Sequence, residues 1–130
     1  MLKCFSPAER KNTLNQLVAF AQTNEAIVGT LLVGSGAHAF SDDFSDIDIV
    51  FVANPQDFVV ALDSIAASLR TELQPVFLTS YQHRRDVVVL CGLLANLLEV
   101  DVGVWSSETL FASSPKWKLL QSRNGEEERR

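Results

Sequence analysis

Residues 31–52 read LLVGSGAHAFSDDFSDIDIVFV. An apolar run closes on Gly34-Ser35 and, after Gly36 to Phe44, is followed by Ser45-Asp46-Ile47-Asp48-Ile49 and then Val50-Phe51-Val52. Side chains alternate across a β-strand, so Asp46 and Asp48 project from one face, about 6.6 Å apart along the chain. Packing does not favour that arrangement, because like charges repel and a carboxylate removed from water needs compensation. A divalent cation is the simplest compensation.

Outward from this stretch the pattern alternates between helix and strand. Ser6-Pro7-Ala8-Glu9 has the signs of a helix start: a capping serine, proline at the first helical position and a glutamate to close a capping box. That helix should run to about Thr23, with Leu14, Leu17, Val18 and Ala21 on its buried face. Ala26 to Val33 reads as a central strand covered on both sides, and Asp46 to Ala53 as the acidic strand. Asn54-Pro55 opens a second helix to about Thr71, on which Phe58, Ala61, Leu62, Ile65 and Leu69 recur at helical spacing. Pro75 to Thr79 and Asp86 to Cys91 read as two strands of a hairpin joined by Ser80 to Arg85. Leu97 to Trp105 is the last strand, with Leu98, Val100, Val102 and Val104 on one face and Glu99, Asp101 and Gly103 on the other. Ser107 to Phe111 adds a helical turn.

A length of 130 residues, 47% of them hydrophobic, fits one α/β domain. We place it at 1–120, with 121–130 a disordered tail. The sequence has neither a membrane-spanning apolar run nor the apolar core of a secretion signal, so a cytoplasmic protein without membrane contact is expected. Cys4 and Cys91 lack metal-ligand spacing. The net charge of −5 arises before the tail, whose three arginines balance three glutamates. Such a balance argues against binding a long nucleic acid and suits a small nucleotide delivered with its metal.

Gly34-Ser35, the loop, Asp46-Ile47-Asp48 and a later carboxylate between apolar neighbours, Val100-Asp101-Val102, together resemble the signature of the DNA polymerase β-like nucleotidyltransferase superfamily. Antibiotic adenylyltransferases and minimal nucleotidyltransferases share it, and the resemblance covers roughly Leu31 to Trp105. It implies a small mixed sheet of about five strands flanked by helices. It also implies transfer of AMP from ATP to a hydroxyl of a small, antibiotic-like molecule or of a protein, with two Mg²⁺ ions, or Mn²⁺ in their place, as cofactors. Asp46, Asp48 and Asp101 would be the catalytic metal ligands, while Gly34, Ser35 and Ser45 would bind or orient the nucleotide. Alternatives within the resemblance are the antitoxin of a toxin–antitoxin pair and a catalytically silent interaction module.

This chain departs from the family at Gly36 and Ala39, where many members carry arginine and glycine. Antibiotic-modifying relatives also append a helical domain that helps to form the acceptor pocket. The acceptor side is therefore expected to be missing, borrowed from a second subunit in a homodimer, or supplied by a partner. Glu99, on the face of Asp101, is the alternative third ligand. Asp42 and Asp43 do not have calcium-loop spacing and read as a solvated turn. His38 and His83-Arg84-Arg85 read as surface residues, with one arginine reaching a triphosphate as the functional option, and Trp105 and Trp117 as core or partner-facing aromatics.

Overall fold

Ser6 caps the first helix as its sequence requires. Its hydroxyl accepts the Glu9 N–H at 3.2 Å, and the Glu9 carboxylate accepts the Ser6 N–H at 2.7 Å, a closed capping box with Pro7 behind it. In this computed structural model, which describes residues 5–32, 46–111 and 118–122, the helix α1 spans Pro7–Thr23 and buries Thr13, Leu17 and Ala21. Leu14 and Val18 pack beside them, half-buried. The strand β1 (Gly29–Leu32) runs antiparallel to β2 (Ile47–Ala53). A 3₁₀ turn at Pro55–Asp57 leads into α2 (Phe58–Ser68), which closes in a π turn at Leu69–Leu73 ahead of Pro75.

The hairpin is longer than its sequence suggests. β3 (Phe77–Arg84) and β4 (Val87–Leu93) pair almost to their ends, and the connection shrinks to Arg85-Asp86. The reason is position: β3 is an edge strand, so its polar residues Ser80, Gln82 and Arg84 can keep their side chains wet while their backbone still pairs. β5 (Glu99–Ser106) then runs parallel to β2 and passes into α3 (Ser107–Phe111).

A last strand, β6 (Lys118–Ser122), lies antiparallel to the outer side of β1. The sheet is therefore six-stranded, in the order β3-β4-β5-β2-β1-β6, where about five strands were expected. Gln121 and Ser122 fall inside β6, opposite Thr30 and Gly29, so strand pairing reaches two residues into the segment expected to be a disordered tail. The free backbone edge of β1 supplies that pairing, and composition does not reveal it.

Both long helices cover one face of the sheet. Ile47, Ile49, Phe51 and Ala53 of β2 and Val100, Val102 and Val104 of β5 join Leu17, Ala61 and Ile65 in the main core. Phe20 of α1 meets Phe51 edge to face, with ring centroids 6.2 Å apart. On the opposite face Val50, Val52, Leu31, Val87 and Trp105 form a second, smaller cluster. The α/β class and mixed sheet follow the sequence reading. Among the described residues no helix is long and apolar enough to cross a membrane.

The β4–β5 turn carries backbone strain. Leu97 has φ 70, a left-handed conformation disfavoured for a residue with a branched side chain, and it is 41% exposed. The turn holds it there through Leu97 N–H to the Leu94 carbonyl and Leu94 N–H to the Leu98 carbonyl, both 2.9 Å. Asn96 Oδ1 accepts the Leu98 N–H at 3.2 Å. Leu97→Gly should therefore raise unfolding stability by about 0.5–1 kcal/mol in urea denaturation, the relieved strain outweighing the entropy of a more flexible unfolded chain.

Candidate active site

In-register parallel pairing places Asp48 of β2 directly beside Asp101 of β5. Adjacent strands lie about 4.8 Å apart, so two carboxylates from distant parts of the chain leave neighbouring points of one sheet face. That face is the one away from α1 and α2, shared with Val50 and Trp105. Both acids are nearly removed from water, Asp48 at 9% and Asp101 at 8% exposure. The structure thus brings these two sequence-predicted residues next to each other, and the alternation along β5 that put Leu98, Val100, Val102 and Val104 in the core is observed.

Asp46 is placed differently. It precedes the first residue of β2, and its backbone N–H donates to the Glu99 carbonyl at 3.0 Å while its Oδ2 accepts the Glu99 N–H at 2.9 Å. These two bonds tie the start of β2 to the start of β5. From the other side of the sheet, Arg10 of α1 donates through Nε to the Asp46 carbonyl at 2.8 Å. Asp46 is thereby fixed in position, with one carboxylate oxygen committed to the neighbouring strand.

Arg10 is a positioning residue that the sequence reading did not single out. Its contact spans 36 residues and no local pattern marks it. Cys91, which lacks metal-ligand spacing in the sequence, is the half-buried register partner of Asp101 on β4, so the same sheet face continues from the carboxylates across β4. Glu99, the alternative third ligand, contributes its backbone to Asp46 and shares the face of Asp101 by strand parity. Arg84 and Arg85 lie exposed at the far end of the hairpin. Gly34, Ser35, Ser45, His38, Asp42, Asp43 and Trp117 lie outside the described residues. A cavity of about 280 Å³ between α2 and the hairpin, lined by Leu62, Asp63, Arg70 and Ser80 among others, is on the helical side and includes none of the three aspartates.

Among the described residues no group of three His, Cys, Asp or Glu side chains is arranged to hold a metal ion. The donor chemistry nevertheless fits a hard cation. Magnesium takes oxygen ligands and keeps several waters, and one or two protein carboxylates suffice when substrate phosphates complete its shell. The Asp48–Asp101 pair meets that requirement by itself.

No protein-family model and no curated protein matches the sequence. Among solved structures, the chain is similar to one in the structure of the GLD-2/RNP-8 complex, at 18% identity with a TM-score of 0.51 over 83% of this chain. It spans 40% of that chain's length. At that identity the likeness is one of fold alone.

Proposed function

We propose that this chain is a metal-dependent nucleotidyltransferase that transfers AMP from ATP to a hydroxyl group of a small molecule or a protein. The observation that carries the reading is the pair Asp48 and Asp101, buried side by side on the sheet face that the helices leave open. Burial and mutual repulsion both act against two ionised carboxylates there, and a bound cation reverses both costs. The sequence resemblance to the polymerase β-like superfamily over Leu31 to Trp105 supports the same reading.

In this proposal Asp48 and Asp101 would hold the metal, and Asp46, which the described arrangement ties to Glu99, would join them as the third carboxylate once the metal is bound. When bound, two Mg²⁺ ions supply charge neutralisation at the attacking and leaving oxygens. Asp101 stands between Asp48 on β2 and Cys91 on β4, which puts it on the side of the pair away from β1. In keeping with the family resemblance, it would lie on the acceptor side and take the proton of the acceptor hydroxyl. The hydroxyl oxygen bonds to the α-phosphorus of ATP, the bond to the bridging oxygen of the β-phosphate breaks, and pyrophosphate departs with that electron pair. Gly34 and Ser35, which follow β1 in sequence, take the triphosphate through backbone N–H groups and the serine hydroxyl, and Ser45 orients the loop ahead of Asp46.

The capture of one Asp46 oxygen by Glu99 favours a second reading, a catalytically silent module that keeps the fold for binding a partner. The two readings separate by experiment. If the proposed function holds, mass spectrometry of wild-type protein with ATP, Mg²⁺ and candidate acceptors detects an AMP adduct. Asp101→Ala abolishes it while lowering MgATP affinity only modestly, because that carboxylate acts mainly in the transition state. Absence of adduct with every nucleoside triphosphate and acceptor would favour the silent module.

Metal binding is read separately. Mn²⁺ affinity by calorimetry should fall about tenfold or more in Asp48→Asn, whereas the apo protein should be as stable as wild type or slightly more so, since a repulsion is removed. Unchanged Mn²⁺ affinity would remove Asp48 from the ligand set.

Asp46 behaves differently because it is also structural. Asp46→Asn keeps an oxygen for the Glu99 N–H, and Asp46→Ala leaves that N–H without its acceptor, so the alanine variant should be less stable than the asparagine variant by about 1–3 kcal/mol in urea denaturation.

A further inference from the structure

We propose that β3 is the contact surface for a second copy of this chain, two β3 strands pairing antiparallel about a two-fold axis at Thr79. The inference rests on the fold and does not depend on the reading of the active site. β3 forms one edge of the sheet and is eight residues long, contains no proline, and keeps regular register with β4 from Phe77 to Gln82 before a bulge near Arg84. Native edges of this length are ordinarily shortened, charged or covered. Here the edge instead presents two aromatic rings, Phe77 at 58% and Tyr81 at 46% exposure, with Val76 beside them.

The spacing of those rings identifies the occupant. Antiparallel pairing centred on Thr79 sets Phe77 opposite the partner's Tyr81, Thr79 opposite the partner's Thr79, and Tyr81 opposite the partner's Phe77. Directly opposed residues share a face, and aromatic–aromatic and Thr–Thr pairs are among the favourable cross-strand combinations. A single strand thus carries a self-complementary set, as a two-fold interface requires. Charge agrees with the direction: antiparallel pairing places the Arg84-Arg85 end of each copy at opposite ends of the contact, whereas parallel pairing would bring the basic ends together. The other edge strand, β6, has five residues and begins with Lys118. A β3–β6 contact would be head to tail and leave free edges for further growth.

The assembly would be one continuous sheet with both Asp48–Asp101 pairs on the same side. Five strand spacings separate one Asp101 from the other, about 24 Å along the sheet.

Sedimentation equilibrium of the full chain at about 100 µM, an order-of-magnitude choice for a contact of this size, should show a species of twice 14.4 kDa. The F77K/Y81K variant opposes lysine to lysine at both pairs and should be monomeric. F77K/Y81E opposes lysine to glutamate at both pairs and should recover the dimer. In a C4S/C91S background, Thr79→Cys should form an intermolecular disulfide under mild oxidation, and Val60→Cys, on the exposed side of α2, should not. A wild-type monomer at this concentration would overturn the proposal. So would an open series of larger species, a dimer unaffected by F77K/Y81K, or cross-linking no better at position 79 than at position 60.

Discussion

The in-register parallel pairing of β2 with β5 is the constraint on which the site depends. A strand alternates faces with every residue, so slipping β5 by one position would send Asp101 into the main core and bring Val100 or Val102 to the open face. Apolar burial under α1 and α2 opposes such a slip along most of β5. At the carboxylate end Asp46 opposes it directly, through its paired hydrogen bonds with Glu99 at 3.0 and 2.9 Å. One acid of the motif thus fixes the register that brings the other two together.

The layer arrangement explains why acids can occupy the middle of the sheet. α1 and α2 both lie on one side, where Phe51 and its neighbours are sealed from water. Among the described residues the other side holds a small apolar cluster around Trp105, centred on strand positions beyond Asp48 and Asp101 toward the C-terminal ends of β2 and β5. Asp48 and Asp101 sit at the margin of that cluster, nearly buried yet at the end from which β2 emerges. Low water content strengthens electrostatic interactions at such a margin, both the repulsion between the acids and any attraction to a cation.

Local chemistry was the legible part of this sequence. The capping box at Ser6 and Glu9, the helical spacing of Ala61 and Ile65 and the alternation through Leu98 to Val104 each involve residues a few positions apart, and each appears in the structure as read. The adjacency of Asp48 and Asp101 came from a family resemblance, because no local pattern joins strands so far separated. Arg10 on the Asp46 carbonyl, the Glu99 N–H on its carboxylate and the strand β6 could not be read, since each is a pairing between distant segments. The hairpin was read too short because polar residues on an edge resemble a loop when only side-chain pattern is considered. The positions of Gly34, Ser35 and Ser45 fall outside the described residues.

The parallel pairing also sets an order of assembly. α1, α2 and the β3–β4 hairpin involve near neighbours in sequence and can form as the chain emerges during synthesis. β2 cannot meet β5 until the whole stretch from Ala53 to Glu99 has been made and folded back, so the closing of that long loop comes late. Asp48 and Asp101 therefore come together only when β2 and β5 pair, the same step that buries Ile47, Ile49, Val100 and Val102. Their mutual repulsion is thus set directly against the apolar burial of that step.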